Sequence, residues 1–225
     1  MAMANYTMYA KHTWYNSHKV AIIQLCDRKN ITWEVEAMPD MKEEMMDLVR
    51  RSFDDDDIPP QSIPDIDLYM DQIITIFDQN LGGNKRYEDD KLLTKTMINN
   101  YSKEGVLKPI KGKKYTKEHI IQMLLVYNMK NTLTIQEIKR VLSGVYEEED
   151  FDEKALEECY RQFLTFKQIE RDTMPEVIRS MFRKSPIELR GKSDLMVLLL
   201  SMSAMSLYMK RMAETVIDEY FGPKE

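Results

Sequence analysis

From Leu195 to Tyr220 the positions 195, 199, 202, 206, 209, 213, 216 and 220 keep a strict four-three spacing, filled by Leu, Leu, Met, Ser, Met, Ala, Val and Tyr. Only an α-helix brings such a series to one face, so the spacing predicts a long final helix with a coiled-coil-like seam. The rest of the chain suits the same class of fold. Seven glycines and eight prolines in 225 residues leave little material for many tight turns, and 43% hydrophobic residues suffice for an ordinary core. The expected fold is mainly α.

The seam can be a core helix of one chain or a contact between two chains, since heptad spacing serves both. Met202, Met205 and Met209 read first as core. The uncharged stretch from Leu195 to Met209 includes Ser201, Ser203 and Ser206 and falls short of the roughly 20 apolar residues that cross a bilayer. We expect no membrane partner. The apolar run Val20 to Leu25 is too short for a secretory signal. Cys26 and Cys159 lack CxxC or CxxH neighbours, so neither a disulfide framework nor a zinc site is indicated. These readings point to a cytoplasmic protein without a cofactor.

Four segments follow from composition. Residues 1–37 show no sustained helical period and receive no assigned fold. Residues 38–64 read as a short helix, started by Asp40 with Glu43 as a capping box and carrying Met41, Met45 and Leu48 on one face. The solvated acidic run Asp54 to Asp57 and Ile58-Pro-Pro end it. In 65–146, Ile66, Tyr69, Ile73, Ile76 and Phe77 predict an amphipathic helix stopped at Gly82-Gly83. A second is expected over Leu93 to Lys103, ending at Gly105. Val106 to Tyr115 reads as a tight two-stranded wing. Thr116 caps a helix with Ile120, Leu124 and Tyr127 on one side, and Thr134 with Glu137 caps another that stops at Gly144. Residues 147–225 form a C-terminal helical region: one helix from Asp152 with Leu156, Tyr160 and Phe163 inward, a short one opened at Thr173-Met-Pro-Glu176, and the long last one.

Charge picks out the candidate site. Between Lys91 and Lys117 lie eight lysines and a single acid, Glu104, an island of +7 in a chain of net charge −6. Leu93, Met97, Ile98 and Tyr101 share the inner side of their helix, leaving Lys95, Thr96, Asn99, Ser102 and Lys103 on the outer one. Lysine neutralises phosphate, asparagine can make a bidentate pair with adenine, and serine or threonine reaches phosphate or base edges. Lys108, Lys111, Lys113 and Lys114 crowd into seven residues around a turn, a placement that costs repulsion unless a polyanion accompanies it. A solvated helix face and a basic loop balanced by neighbouring acids would give the same pattern.

The run Thr96-Met-Ile-Asn-Asn-Tyr-Ser-Lys-Glu-Gly-Val-Leu-Lys-Pro, then Lys114-Tyr115, Ile120, Leu124 and Leu133-Thr-Ile-Gln-Glu-Ile138, resembles the DNA-binding domain of the MerR family. Tyr101, Gly105, Leu107, Pro109, Tyr115, Glu137 and Ile138 carry the likeness. The same run resembles an uncharacterised family of Gram-positive bacteria, domain of unknown function 1836, from about Ile63 to the C-terminus. Asn99 and Asn100 replace the Arg and Tyr of MerR proteins, and no cysteines stand where MerR metal sensors bind metal. The resemblance implies a winged helix-turn-helix over 65–146 contacting double-stranded DNA through Lys95, Thr96, Asn99, Asn100, Ser102, Lys103, Lys108, Lys111, Lys113, Lys114 and Tyr115. It also implies a homodimer through Leu195, Leu199, Met202, Met209 and Val216.

No Gly-rich phosphate loop, HExxH, GxSxG or partnered catalytic cysteine is present, and His119 reads as a surface or satisfied residue at a helix start. The expected function is a DNA-binding transcriptional regulator, not an enzyme, with no effector identified. The alternative is a helical protein-interaction module on a winged-helix scaffold.

Overall fold

The computed structural model describes residues 20–27, 30–37, 41–185, 187–189 and 191–222, with side chains from residue 44 onward. The chain divides into two units, Met1–Leu48 and Val49–Glu225.

In the first unit β1 (Val20–Asp27) and β2 (Asn30–Ala37) pair antiparallel, Val20 opposite Ala37 and Asp27 opposite Asn30. The stretch left without a fold on sequence therefore holds a hairpin. Its signal is the period of two, Ile31, Trp33, Val35 and Ala37 alternating with Thr32, Glu34 and Glu36, which a search for helical spacing passes over. Helix α1 (Met41–Ser52) runs across the division between the units. Its buried side chains are Met46 and Val49, whereas Leu48 is exposed, so the assigned apolar face was turned by one residue. The capping box at Asp40 and Glu43 falls outside the described side chains.

The second unit is mainly helical: α2 (Met70–Asn80), α3 (Lys95–Lys103), α4 (Lys117–Met129), α5 (Ile135–Tyr146), α6 (Glu153–Lys184) and α7 (Lys192–Tyr220). The long final helix is present as expected. At the centre is α4, where Ile120, Ile121, Gln122, Met123, Leu124 and Val126 are all buried. A helix apolar all round belongs inside a fold, so reading only Ile120, Leu124 and Tyr127 as inward was too narrow. Around it lie Ile73 and Phe77 of α2, Ile98 and Tyr101 of α3, Ile138 and Leu142 of α5, and Leu156 and Tyr160 of α6.

Four other expectations change. Ile66 and Tyr69 are exposed and precede the helix assigned to them; Leu68–Tyr69 instead forms a strand, β3, antiparallel to β4 (Lys114–Tyr115). No two-stranded hairpin exists within 106–115, because the one short strand there pairs with residues 47 earlier than Tyr115 and 45 earlier than Lys114. The helix expected to open at Thr173 is the second half of α6, which runs through Pro175. Proline there removes the amide that would bond the Arg171 carbonyl, but the helix on both sides keeps its ladder. Glycine 144 does not stop α5, which extends to Tyr146; a Cβ at that position would lie 2.7 Å from the Phe221 ring, so glycine admits the end of α7.

The acidic run is solvated only in part: Asp54 and Asp56 are exposed, whereas Asp55 and Asp57 are half-buried in ion pairs. Lys167 contacts Asp55 at 2.5 Å and Asp57 at 2.7 Å, and Arg171 contacts them at 2.7 and 2.6 Å. Burial pushes the Asp55 carboxyl upward, yet the hydrogen bonds and charges of Lys167 and Arg171 outweigh it and hold the group below 3.8. Next to this clasp, Tyr160 donates a hydrogen bond to the Ile58 carbonyl at 3.0 Å.

Candidate nucleic-acid interface

Thr94 starts α3, its hydroxyl accepting from the Met97 amide at 3.2 Å. Ile98 and Tyr101 are buried and Met97 half-buried, which turns Lys95, Thr96, Asn99, Asn100 and Lys103 to the exposed side. Ser102 is half-buried and donates to the Ile98 carbonyl at 3.0 Å. The helix ends because Gly105 takes φ +70°, a left-handed conformation that glycine adopts at least cost. The Val106 and Leu107 amides both turn back to the Tyr101 carbonyl, at 2.9 and 3.4 Å. That bonding fixes where the basic loop leaves α3.

A closed polar ring holds the base of the loop. Buried Gln122 accepts from the Lys108 amide at 3.1 Å and donates to the Tyr146 hydroxyl at 3.0 Å. Tyr146 donates to Glu118 at 2.9 Å, Glu118 pairs with the Lys108 ammonium at 2.6 Å, and that ammonium sits 4.0 Å from the centre of the Tyr146 ring. Burial and the Glu118 carboxylate push the Tyr146 phenol well above its ordinary value. Lys108 is thus an anchor, its charge already met, and not a free phosphate contact.

The other end of the loop is anchored by His119. Its Nδ1 accepts from the Thr116 amide at 3.1 Å and lies 2.8 Å from the Thr116 hydroxyl, so His119 takes the part that Glu or Gln plays in a capping box. That bond places the ring proton on Nε2, which is buried without a hydrogen-bond partner. Burial, opposed by the Lys108 backbone, Glu118 and Asp67, pushes the imidazole below its ordinary 6.5. His119 is 6% exposed, so it is not a surface residue; of its two ring nitrogens Thr116 satisfies Nδ1 and not Nε2.

The proposed DNA contacts therefore separate into groups. Tyr115 is 5% exposed and packs edge-on to His119 with ring centres 6.0 Å apart. It belongs to the core because β4 alternates, placing Lys114 outward and Tyr115 inward. Lys95 pairs with Asp71 at 2.7 Å on the surface, Lys108 with Glu118, and Lys117 with Asp65 and Glu157 at 3.2 and 3.1 Å. Lys103, Lys111 and Lys113 are exposed and without an acidic partner among the described residues, and Lys114 lies 5.4 Å from the exposed Tyr69 ring. Sequence reading missed the anchors Gln122, Glu118 and Tyr146, whose only signal is a polar residue inside an apolar helix.

The dimerisation residues lie on α7. Leu199, Met202, Met209 and Val216 are exposed and Leu195 half-buried, so reading the α7 methionines as core is overturned at 202 and 209. The helix is seated by its C-terminal half, through buried Ile217, the Phe221 ring at Gly144 and an Arg140–Asp218 ion pair at 3.3 Å.

No curated protein and no solved structure matches the chain. One family model does, over residues 58–163. The matched stretch starts five residues before, and ends well short of, the extent inferred from resemblance; it takes in β3, β4, α2 to α5 and the first turns of α6, and leaves out α7. The stretch that carries the basic loop and its anchors is the part that resembles a domain of unknown function, DUF1836.

Proposed function

We propose that this domain binds double-stranded DNA as a MerR-like winged helix and that the chain is a transcriptional regulator. One observation carries the reading: an exposed polar helix face, Thr96, Asn99, Asn100 and Lys103, leads through Gly105 into a loop anchored at both ends whose tip presents Lys111, Lys113 and Lys114. Three exposed ammonium groups on a short loop repel one another unless phosphate lies between them. The order β3, α2, α3, basic loop, β4, α4, α5 supports the winged-helix likeness, the strand after the loop pairing with the strand before the first helix. Helix α3 enters the major groove, the loop lies on flanking phosphates, and two copies pair along the Leu195 to Val216 seam of α7 so that a two-fold dimer reads two half-sites.

Chromatin immunoprecipitation with sequencing tests this in the host cell. Wild type is expected to enrich discrete sites, and the Lys111→Ala, Lys113→Ala, Lys114→Ala variant to lose them. Enrichment by neither rejects the proposal.

A second reading, a protein-interaction module on the same scaffold, draws on the pairing of Lys95, Lys108 and Lys117 with Asp71, Glu118, Asp65 and Glu157, which removes much of the charge island. It predicts a co-purifying protein that survives nuclease treatment.

A further inference from the structure

Helix α7 has a second apolar face that the heptad seam does not use. At about 100° per residue, Val197, Leu200, Ala204 and Leu207 fall in one stripe roughly half a turn away from Leu195, Leu199, Met202 and Met209. Val197, Leu200 and Leu207 are 43%, 62% and 44% exposed, and Tyr208 flanks them at 63%. In the uncharged stretch Leu195 to Met209, Leu198 is the sole buried residue. Pairing two chains along the first seam leaves this opposite face in water, a contiguous apolar surface that soluble proteins rarely keep.

We propose that the Leu200 face is a second self-association surface, occupied by the same face of another copy, so that the protein assembles beyond two chains. Three observations select that occupant. First, no charged residue lies between 195 and 209, so the face offers nothing to pair with a charged partner segment but matches itself. Second, the stripe is self-complementary when two helices run antiparallel about position 202. Leu200 then meets Ala204 and Val197 meets Leu207, a large side chain against a small one at the centre, as helix packing requires. Third, the Ser201 and Ser203 hydroxyls already donate within the helix, to the Val197 and Leu199 carbonyls at 3.1 and 2.9 Å, so the face can lose water without stranding those donors.

Lipid is the competing occupant. By length and composition α7 could cross a membrane, but its uncharged part spans only about 22 Å at 1.5 Å per residue, against a hydrocarbon core of about 30 Å.

Light scattering coupled to size exclusion, on the full chain without DNA, decides the matter. Wild type at micromolar concentration is expected at the mass of four chains or more, and Leu200→Lys/Leu207→Lys at half the wild-type mass or less. Leu199→Lys/Met209→Lys, on the first seam, also lowers the mass, and combining the pairs gives a monomer. All four side chains substituted are exposed, and circular dichroism melts confirm that each variant folds. A wild type of two chains or one overturns the proposal, as does a mass unchanged by Leu200→Lys/Leu207→Lys. Flotation of the wild type with phosphatidylcholine–phosphatidylglycerol vesicles, with loss of the large assembly, assigns the face to lipid and also overturns it. The result is independent of DNA binding, which the loop-lysine variant tests separately.

Discussion

His119 links acidity to the loop through a single nitrogen. Its Nδ1 must stay unprotonated to accept from Thr116, and burial holds the imidazole below 6.5. As pH falls beneath 6.5 the unfolded chain takes up a proton that the native state refuses, so native stability declines toward the folded pKa and levels off below it. Urea unfolding should therefore show a midpoint that drops with acidity in this window. His119→Gln, which keeps the capping geometry without a titrating ring, should lack that His119-dependent part of the drop; equal pH dependence in both proteins would refute the account. Gly105 makes a different demand. Its φ of +70° should make Gly105→Ala cost about 1–2 kcal/mol, with Gly105→Asn milder, read as the shift in denaturation midpoint. At this scale the sequence was informative where a residue type has one local use: the Thr134–Glu137 box and the Asp152 cap are present, Glu137 accepting from the Thr134 amide at 2.7 Å and Asp152 from the Ala155 amide at 2.9 Å. It was silent where a residue works through distant partners, as Gln122 and Tyr146 do.

Helices, as elements, followed from periodicity, and their errors have a common physical cause. The face of α3 was readable because Ile98 and Tyr101 alone are buried on a short helix. The strand Leu68–Tyr69 was not, because two residues hold no pattern and its partner lies far along the chain. Pro175 departs from a local rule: a proline that marks a helix start in isolation sits inside α6. Pro175→Ala restores an amide for the Arg171 carbonyl and should stabilise the protein by about 1–3 kcal/mol, measured by thermal melting; destabilisation would mean that α6 needs its proline. The docking of α7 on α5 can be tested by a mutant cycle. Gly144→Ala improves the intrinsic preference of α5 by up to about 1 kcal/mol but places a methyl 2.7 Å from the Phe221 ring. The single change is expected to destabilise in the Phe221 background and to stabilise once Phe221→Ala has cleared the space.

For the molecule as a whole, net charge and the proposed DNA binding run in opposite directions. A chain of net −6 is repelled by DNA at long range, so binding must come from a local patch and fall steeply with salt. Removing Lys111, Lys113 and Lys114 together should lower the log–log salt slope of duplex binding by about 0.9 for each lysine that contacts phosphate; an unchanged slope would show that the loop does not touch the backbone. The candidate site was legible to the extent that residue types announce it, in α3 and the loop lysines, while the ion pairs that withdraw Lys95 and Lys108 depend on which helices become neighbours. The clasp between Asp55, Asp57, Lys167 and Arg171 has a wider meaning. It joins residues just outside both ends of the matched stretch 58–163, so the domain enters and leaves at one place. A unit built in this way is a cassette: it can be spliced into a loop of another protein, or have its own ends joined and new ones opened elsewhere, without its core being stretched apart.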